Sequence, residues 1–223
     1  MPANRKSPVW RGDPLPRGRH GLSQRTVRAS QKARIIRAMQ ELVARQGYRR
    51  TTVPEVVAAA RVSRNAFYEC FDDKEDCFLA ACEQDAGEMV SAISAAASER
   101  GWREALRAGM RTYLRWWQDR PELSRAYFLE MPTVGTRAVA QRERAYRPFE
   151  EIFRQLMARA RVEQPELLHP PDVVPRLLVI AITEFVAVEV RAGHGDRLVG
   201  LEEDLIFLAT QLLAVEAKTS RAA

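Results

Sequence analysis

Long apolar runs are missing from this chain: no stretch of about 18 residues is free of charge, so no membrane-spanning helix is expected. The N-terminus holds Arg5, Lys6, Arg11, Pro2, Pro8 and Pro14 where a secretory leader would need an apolar segment, which makes a cytoplasmic protein the expectation. Cysteine is scarce. Cys70, Cys77 and Cys82 are odd in number and form no CxxC pair, which argues against a disulfide framework and a structural zinc site and fits a reducing compartment. The three histidines, His20, His169 and His194, stand far apart with no HExxH spacing, so a metal or acid–base centre has nothing to start from. No nucleophile stands beside a base, and no glycine-rich loop could cradle a phosphate. Neither an enzyme nor a cofactor is expected.

Charge and apolar content are present, and unevenly placed. With 223 residues and 46% hydrophobic composition the chain can bury a sizeable core. Its formal charge of +6 hides an asymmetry: residues 1–50 carry +11 and residues 51–223 carry −5. The partner of the N-terminal part should be an anion, and nucleic acid or a membrane surface is the usual one. Residues 1–26 mix proline, glycine and basic residues without apolar period and read as a flexible arm, either a solubilising tail or a segment that lies along DNA.

From Val27 the pattern becomes helical. Ile35, Met39, Leu42 and Val43 recur at helical spacing, and Gly47 stands where a C-cap glycine belongs, giving a first helix to about Gln46. Thr51 and Thr52 offer cap hydroxyls before Val53 and Pro54, and proline suits a first helical turn, so a second helix covers 53–60. Ser63 can cap a third helix over 64–71, and Asp72 or Asp73 a fourth that opens with Lys74 and Glu75. Two short helices joined by so short a turn make a helix-turn-helix. Val53, Val56, Val57, Ala60, Val62, Phe67, Cys70 and Phe71 form its core, leaving Arg64, Asn65, Tyr68 and Glu69 outside.

The stretch from Arg34 to Phe78 resembles the DNA-binding domain of the TetR family of transcriptional regulators: helix, Gly47-Tyr48, Thr51-Thr52-Val53, second helix, Val62-Ser63, Phe67-Tyr68, Phe71 and Lys74-Glu75. The resemblance implies a third helix in the major groove. Arg64 and Asn65 are the candidates for base contact, since Arg can pair twice with guanine and Asn twice with adenine; the plain alternative is solvated helix surface. Tyr68 and Lys74 resemble the family's phosphate contacts, Thr52 a cap that also faces the backbone, and Ser63 the cap of the reading helix. Their alternatives are a half-buried tyrosine, an exposed lysine and ordinary caps. Two departures stand out: Arg61 where the family has glycine in the turn, and Val57 where it has alanine. Arg61 would cost on the order of 1 kcal/mol if the turn needs positive φ.

Residues 74–223 read as a helical regulatory and dimerisation domain after the DNA-binding domain of 27–73, with helices expected at 74–98, 102–119, 122–131, 135–162, 172–192 and 201–218. No strand pattern persists, so the fold class is all-α: an N-terminal three-helix domain with a helix-turn-helix plus a C-terminal helical bundle. The last two helices are apolar on more than one face, which suits a homodimer, with a monomer's central helix pair as the alternative. A two-fold dimer implies a near-palindromic operator on double-stranded DNA. The middle helices are rich in large side chains, and the resemblance implies a pocket there for a small apolar ligand; Trp117, Phe128, Met131, Phe149 and Phe185 are its candidate wall, with ordinary packing as the alternative. Glu130 and Glu184 could fix a polar end of that ligand or stand exposed. The expected function is a sequence-specific regulator, a repressor released by ligand; the alternative is a basic architectural DNA-binding protein without an inducer.

Overall fold

The computed structural model describes residues 23–98, 101–168 and 170–216; most of the expected arm, residues 1–22, lies outside them, as does the far end of the expected last helix. The first helix, α1 (Gln24–Gln46), begins three residues before Val27, because the Ser23 hydroxyl accepts from the Thr26 N–H at 3.2 Å and so starts the helix there. It buries Ile35, Ile36, Met39, Leu42 and Val43 and ends at Gly47, whose φ of 81° lets the chain turn sharply while its N–H still bonds to the Val43 carbonyl.

Helix α2 (Val53–Ala60) starts on a reciprocal cap: the Glu55 N–H reaches the Thr52 hydroxyl, and the Glu55 carboxylate accepts from the Thr52 N–H at 2.8 Å. Helix α3 (Arg64–Tyr68) stands on Ser63, whose Oγ accepts from the Ala66 N–H at 3.1 Å. It is three residues shorter than its apolar pattern suggests, because the next helix needs a turn for its own Asp73 cap. Val56, Ala60, Phe67 and Phe71 are buried as expected, while Val53, Val57, Val62 and Cys70 pack only partly into the core.

Helix α4 (Lys74–Ala96) leaves this head and runs into a bundle with α5 (Trp102–Gln118), α6 (Pro121–Arg125), α7 (Thr136–Glu163), α8 (Val174–Arg191) and α9 (Glu202–Leu213). The architecture is all-α. The segment expected as one helix over 122–131 is instead α6, a π-helical turn (Ala126–Glu130) and a 3-10 turn (Met131–Thr133). Before α9, Gly195–Leu201 forms a 3-10 stretch, and beyond it Val215–Glu216 pairs antiparallel with Leu167–Leu168, so the last helix stops five residues short of 218. One apolar core runs unbroken from Ile35 and Phe67 in the head to Leu178, Leu198 and Leu213 in the bundle. No helix among the described residues is long and apolar enough to cross a membrane.

Candidate nucleic-acid interface and ligand cavity

In the head, α3 presents Arg64, Asn65, Tyr68 and Glu69 to solvent, with Tyr68 46% exposed and the Arg64 guanidinium 5.7 Å from its ring centre. Phe67, between them, is fully buried and fixes the angle of the helix. The turn into α3 passes through Arg61 at φ 52°, ψ 48°, the left-handed conformation for which glycine is the natural choice. Two arginines of α1 hold this turn from behind. Arg34 Nη1 donates to the carbonyls of Ala60 (3.0 Å) and Arg61 (3.2 Å), and Arg28 Nη2 donates to the Glu69 carbonyl. Both bind carbonyls that a helix end leaves unpaired. The sequence reading missed them, counting both as general positive charge; the signal was a basic residue on α1 opposite each helix C-terminus.

Lys74 is differently employed from the expectation of a simple phosphate hand. Its Nζ donates to the carbonyls of Tyr48 (3.1 Å) and Thr51 (3.0 Å) and lies 4.0 Å from the Tyr48 ring centre, so two of its three donors staple α4 to the turn between α1 and α2. Burial lowers its pKa from the ordinary lysine value, with nearby Glu130 acting in the other direction. Thr52 is likewise committed to its cap: its hydroxyl donates to Glu55 Oε2 at 2.7 Å. The structure therefore brings Ser63, Arg64, Asn65 and Tyr68 together on α3, and sets Thr52 and Lys74 at the neighbouring turn.

In the bundle, α4, α5, α7 and α8 enclose a narrow cavity that leaves about 70 Å³ open to the centres of water-sized spheres, enough for more than one water but tight for a large ligand. Its wall includes Met89 and Ile93 of α4, Tyr113 and Trp117 of α5, Tyr127 of the π turn, Tyr146 and Phe149 of α7, and Ile182 and Thr183 of α8. Of the expected wall, Trp117 and Phe149 are present. Phe128 sits behind it, edge-on to Trp117 at 4.8 Å, and Met131 is buried outside the cavity. Phe185 is not part of the wall: it lies on the outer side of α8 and is 43% exposed. The two carboxylates also lie elsewhere. Glu184 pairs with Arg191 and, at 3.5 Å, with Arg142, which holds its pKa below the usual range, while Glu130 accepts from the Arg49 backbone N–H at 2.8 Å. Thr183, unnoticed in the sequence, is a buried polar residue of α8 that lines the cavity.

Residues 35–81 match the family model described as bacterial regulatory proteins, tetR family. Over that stretch the sequence is of the tetR family. The fold likeness extends across the chain. A TetR-family regulator from Pectobacterium atrosepticum superposes with a TM-score of 0.70 at 20% identity, covering 88% of this chain and 100% of the other. FadR of Thermus thermophilus, a TetR-family transcriptional repressor in complex with lauroyl-CoA, gives 0.65 at 21% over 86% of this chain and 100% of its own. FadR of Bacillus subtilis, in complex with stearoyl-CoA, gives 0.65 at 19%, covering 79% and 96%. No curated protein matches the chain by sequence.

Within this fold Cys77 and Cys82 are buried in the core, and Cys70 is partly exposed. Burial pushes the Cys77 thiol up to about 12 and Cys82 well above its ordinary value, so neither supplies a thiolate at neutral pH. No cluster of His, Cys, Asp and Glu suited to a metal occurs among the described residues.

Proposed function

We propose that the protein is a cytoplasmic homodimeric repressor that leaves its operator when a small apolar ligand enters the bundle cavity. One observation carries this reading: α4 lines the cavity with Met89 and Ile93 and, about 22 Å away along the same helix, grips the head through Lys74. A ligand that favours one setting of α4 would shift the angle of the head with it, provided it binds that state better. The acyl-CoA complexes of the two FadR proteins support an apolar ligand for this fold.

In this reading residues 27–73 are the DNA-binding unit and 74–223 the regulatory one. Arg64 pairs with guanine and Asn65 with adenine in the major groove, Ser63 caps the reading helix, and Tyr68, Thr52 and the remaining donor of Lys74 meet phosphates. Val173, Leu177, Ile180 and Val188 on α8, with Phe207 and Leu208 on α9, form an exposed apolar face that suits a second copy. Two-fold pairing through it sets two α3 helices about 34 Å apart.

The test is selection from a random DNA pool by purified protein at physiological salt, followed by sequencing. Enrichment of a near-palindrome with half-sites one helical turn apart is the expected result. Retention without enrichment would instead favour an architectural protein held by charge alone.

A further inference from the structure

The polar groups of the cavity wall are the Trp117 indole, the Thr183 hydroxyl and the hydroxyls of Tyr113, Tyr127 and Tyr146. Trp117 is 3% exposed, lines the wall, and its Nε1–H has no protein acceptor within hydrogen-bonding geometry. The Tyr113 hydroxyl lies beside Trp117 and Thr183: burial raises its pKa, and these two residues act in the other direction, while the indole N–H still lacks a hydrogen-bond partner. These groups face one another across α5 and α8. No lining side chain carries a charge; Arg142 stands outside the wall, 5.9 Å from the Tyr146 ring centre, and pairs with Glu184 at 3.5 Å through one nitrogen of its guanidinium.

We infer that the cavity takes an uncharged, largely apolar molecule bearing one carbonyl-type oxygen, which accepts from the Trp117 indole N–H beside the hydroxyls of Tyr113 and Thr183. A buried donor without an acceptor is costly, and a ligand oxygen placed there removes that cost as it binds. A carboxylate beside Trp117 would lose its hydration with no cation in the wall to replace it, since Arg142 stands outside the lining and is matched by Glu184. Burial holds Tyr113 at about 12, so its hydroxyl keeps its proton as a second donor at neutral pH. Thr183, a short side chain on the opposing helix, sets how deep the oxygen can sit. The inference rests on the proposed ligand site and specifies what that site recognises.

Three single-ring probes of nearly the same shape test it with the full chain: acetophenone, ethylbenzene, in which a methylene replaces the carbonyl, and benzoate. Binding is measured by titration calorimetry on the wild type and on Trp117→Phe. Acetophenone should bind the wild type at least as tightly as ethylbenzene despite its greater hydration, and benzoate should not bind. In Trp117→Phe the preference for acetophenone over ethylbenzene should fall about fivefold or more while ethylbenzene still binds. Ethylbenzene binding the wild type far more tightly, benzoate binding best, or a preference unchanged by the substitution overturns the inference, as does failure of all three probes to bind. Should Trp117→Phe not fold, the wild-type comparison still decides, with Thr183→Val as the second variant. Operator affinity is measured in parallel. Acetophenone that binds through Trp117 without loosening DNA would sink the release mechanism and leave the recognition standing.

Discussion

The dimer face gives the most direct quantitative test, because Phe207 is 67% exposed in a single chain and buries little against its own core. Full burial of a phenylalanine side chain is worth roughly 1.5–3 kcal/mol, so covering the exposed two thirds gives about 1–2 kcal/mol per protomer. A two-fold interface counts each residue twice. Phe207→Ala should therefore weaken the dimer by about 2–4 kcal/mol, a rise in the dimer dissociation constant of about 30- to 1000-fold. Sedimentation equilibrium over a range of concentrations measures it, and operator binding should become concentration-dependent in step. Val162, 81% exposed near the end of α7, supplies the control, since Val162→Ala should leave the assembly unchanged. A wild-type chain that is monomeric at micromolar concentration, or a Phe207→Ala dimer as tight as the wild type, would refute the assignment of this face.

Other perturbations report on the head and its seam with the bundle. Arg61→Gly removes the left-handed strain of about 1–2 kcal/mol but frees the unfolded chain, so a net gain of roughly 0.5–1 kcal/mol and a rise in Tm of about 1–4 °C is expected; Arg61→Ala should show no gain. Arg64→Ala and Asn65→Ala should each cost about 1–3 kcal/mol on the selected operator and relax preference at a single base position, whereas equal loss on all sequences would assign them to phosphates. Asp85, half-buried on α4 and accepting from Gln40 Nε2 of α1 at 3.0 Å, has its pKa pushed up to about 6 by burial, with nearby Glu88 adding to the effect. Because the folded state holds this proton more tightly than the unfolded chain, the group's contribution is best below about pH 4 and is lost as pH rises through about 6. Asp85→Asn should thus be more stable than the wild type above pH 6 and equal to it near pH 3.5, as followed by thermal melts.

The head was nearly all legible in the sequence because its signals are local. A cap hydroxyl, a proline in the first turn, and apolar residues at helical spacing lie within one or two turns of what they control, and Thr52, Ser63 and Asp73 cap as their types suggest. Even the departure at Arg61 could be read, because the resembled family has glycine at that place in the turn. What failed to show was non-local. That Arg34 bonds to carbonyls 26 and 27 residues away shows only once α1 is placed opposite the end of α2, and nothing near Lys74 reveals that two of its donors go to Tyr48 and Thr51. In the bundle, large side chains marked the right region, but which face of α8 turns inward depended on packing against α7 and the π turn. Phe185 and Thr183 are two residues apart, and helical geometry sends them to opposite sides.

Two tethers, not one, join the cavity to the head, and both end on the same turn. Lys74 at the start of α4 holds the Tyr48 and Thr51 carbonyls; Glu130, at the end of the π turn whose Tyr127 lines the cavity, holds the Arg49 N–H. Glu130 Oε1 also lies 3.0 Å from where a Cβ on Gly47 would stand, so that glycine admits the carboxylate as well as the turn. In the proposed release mechanism a wall movement on either side of the cavity would reach residues 47–52, which lead directly into the Thr52 cap and α2. Groups that position one turn together should not act independently. In a double-mutant cycle of Glu130→Ala and Lys74→Met, with operator affinity as the readout, the coupling should reach at least about 0.5 kcal/mol. Strictly additive losses would mean that the two tethers act on the head separately, and that α4 alone carries whatever signal the cavity sends.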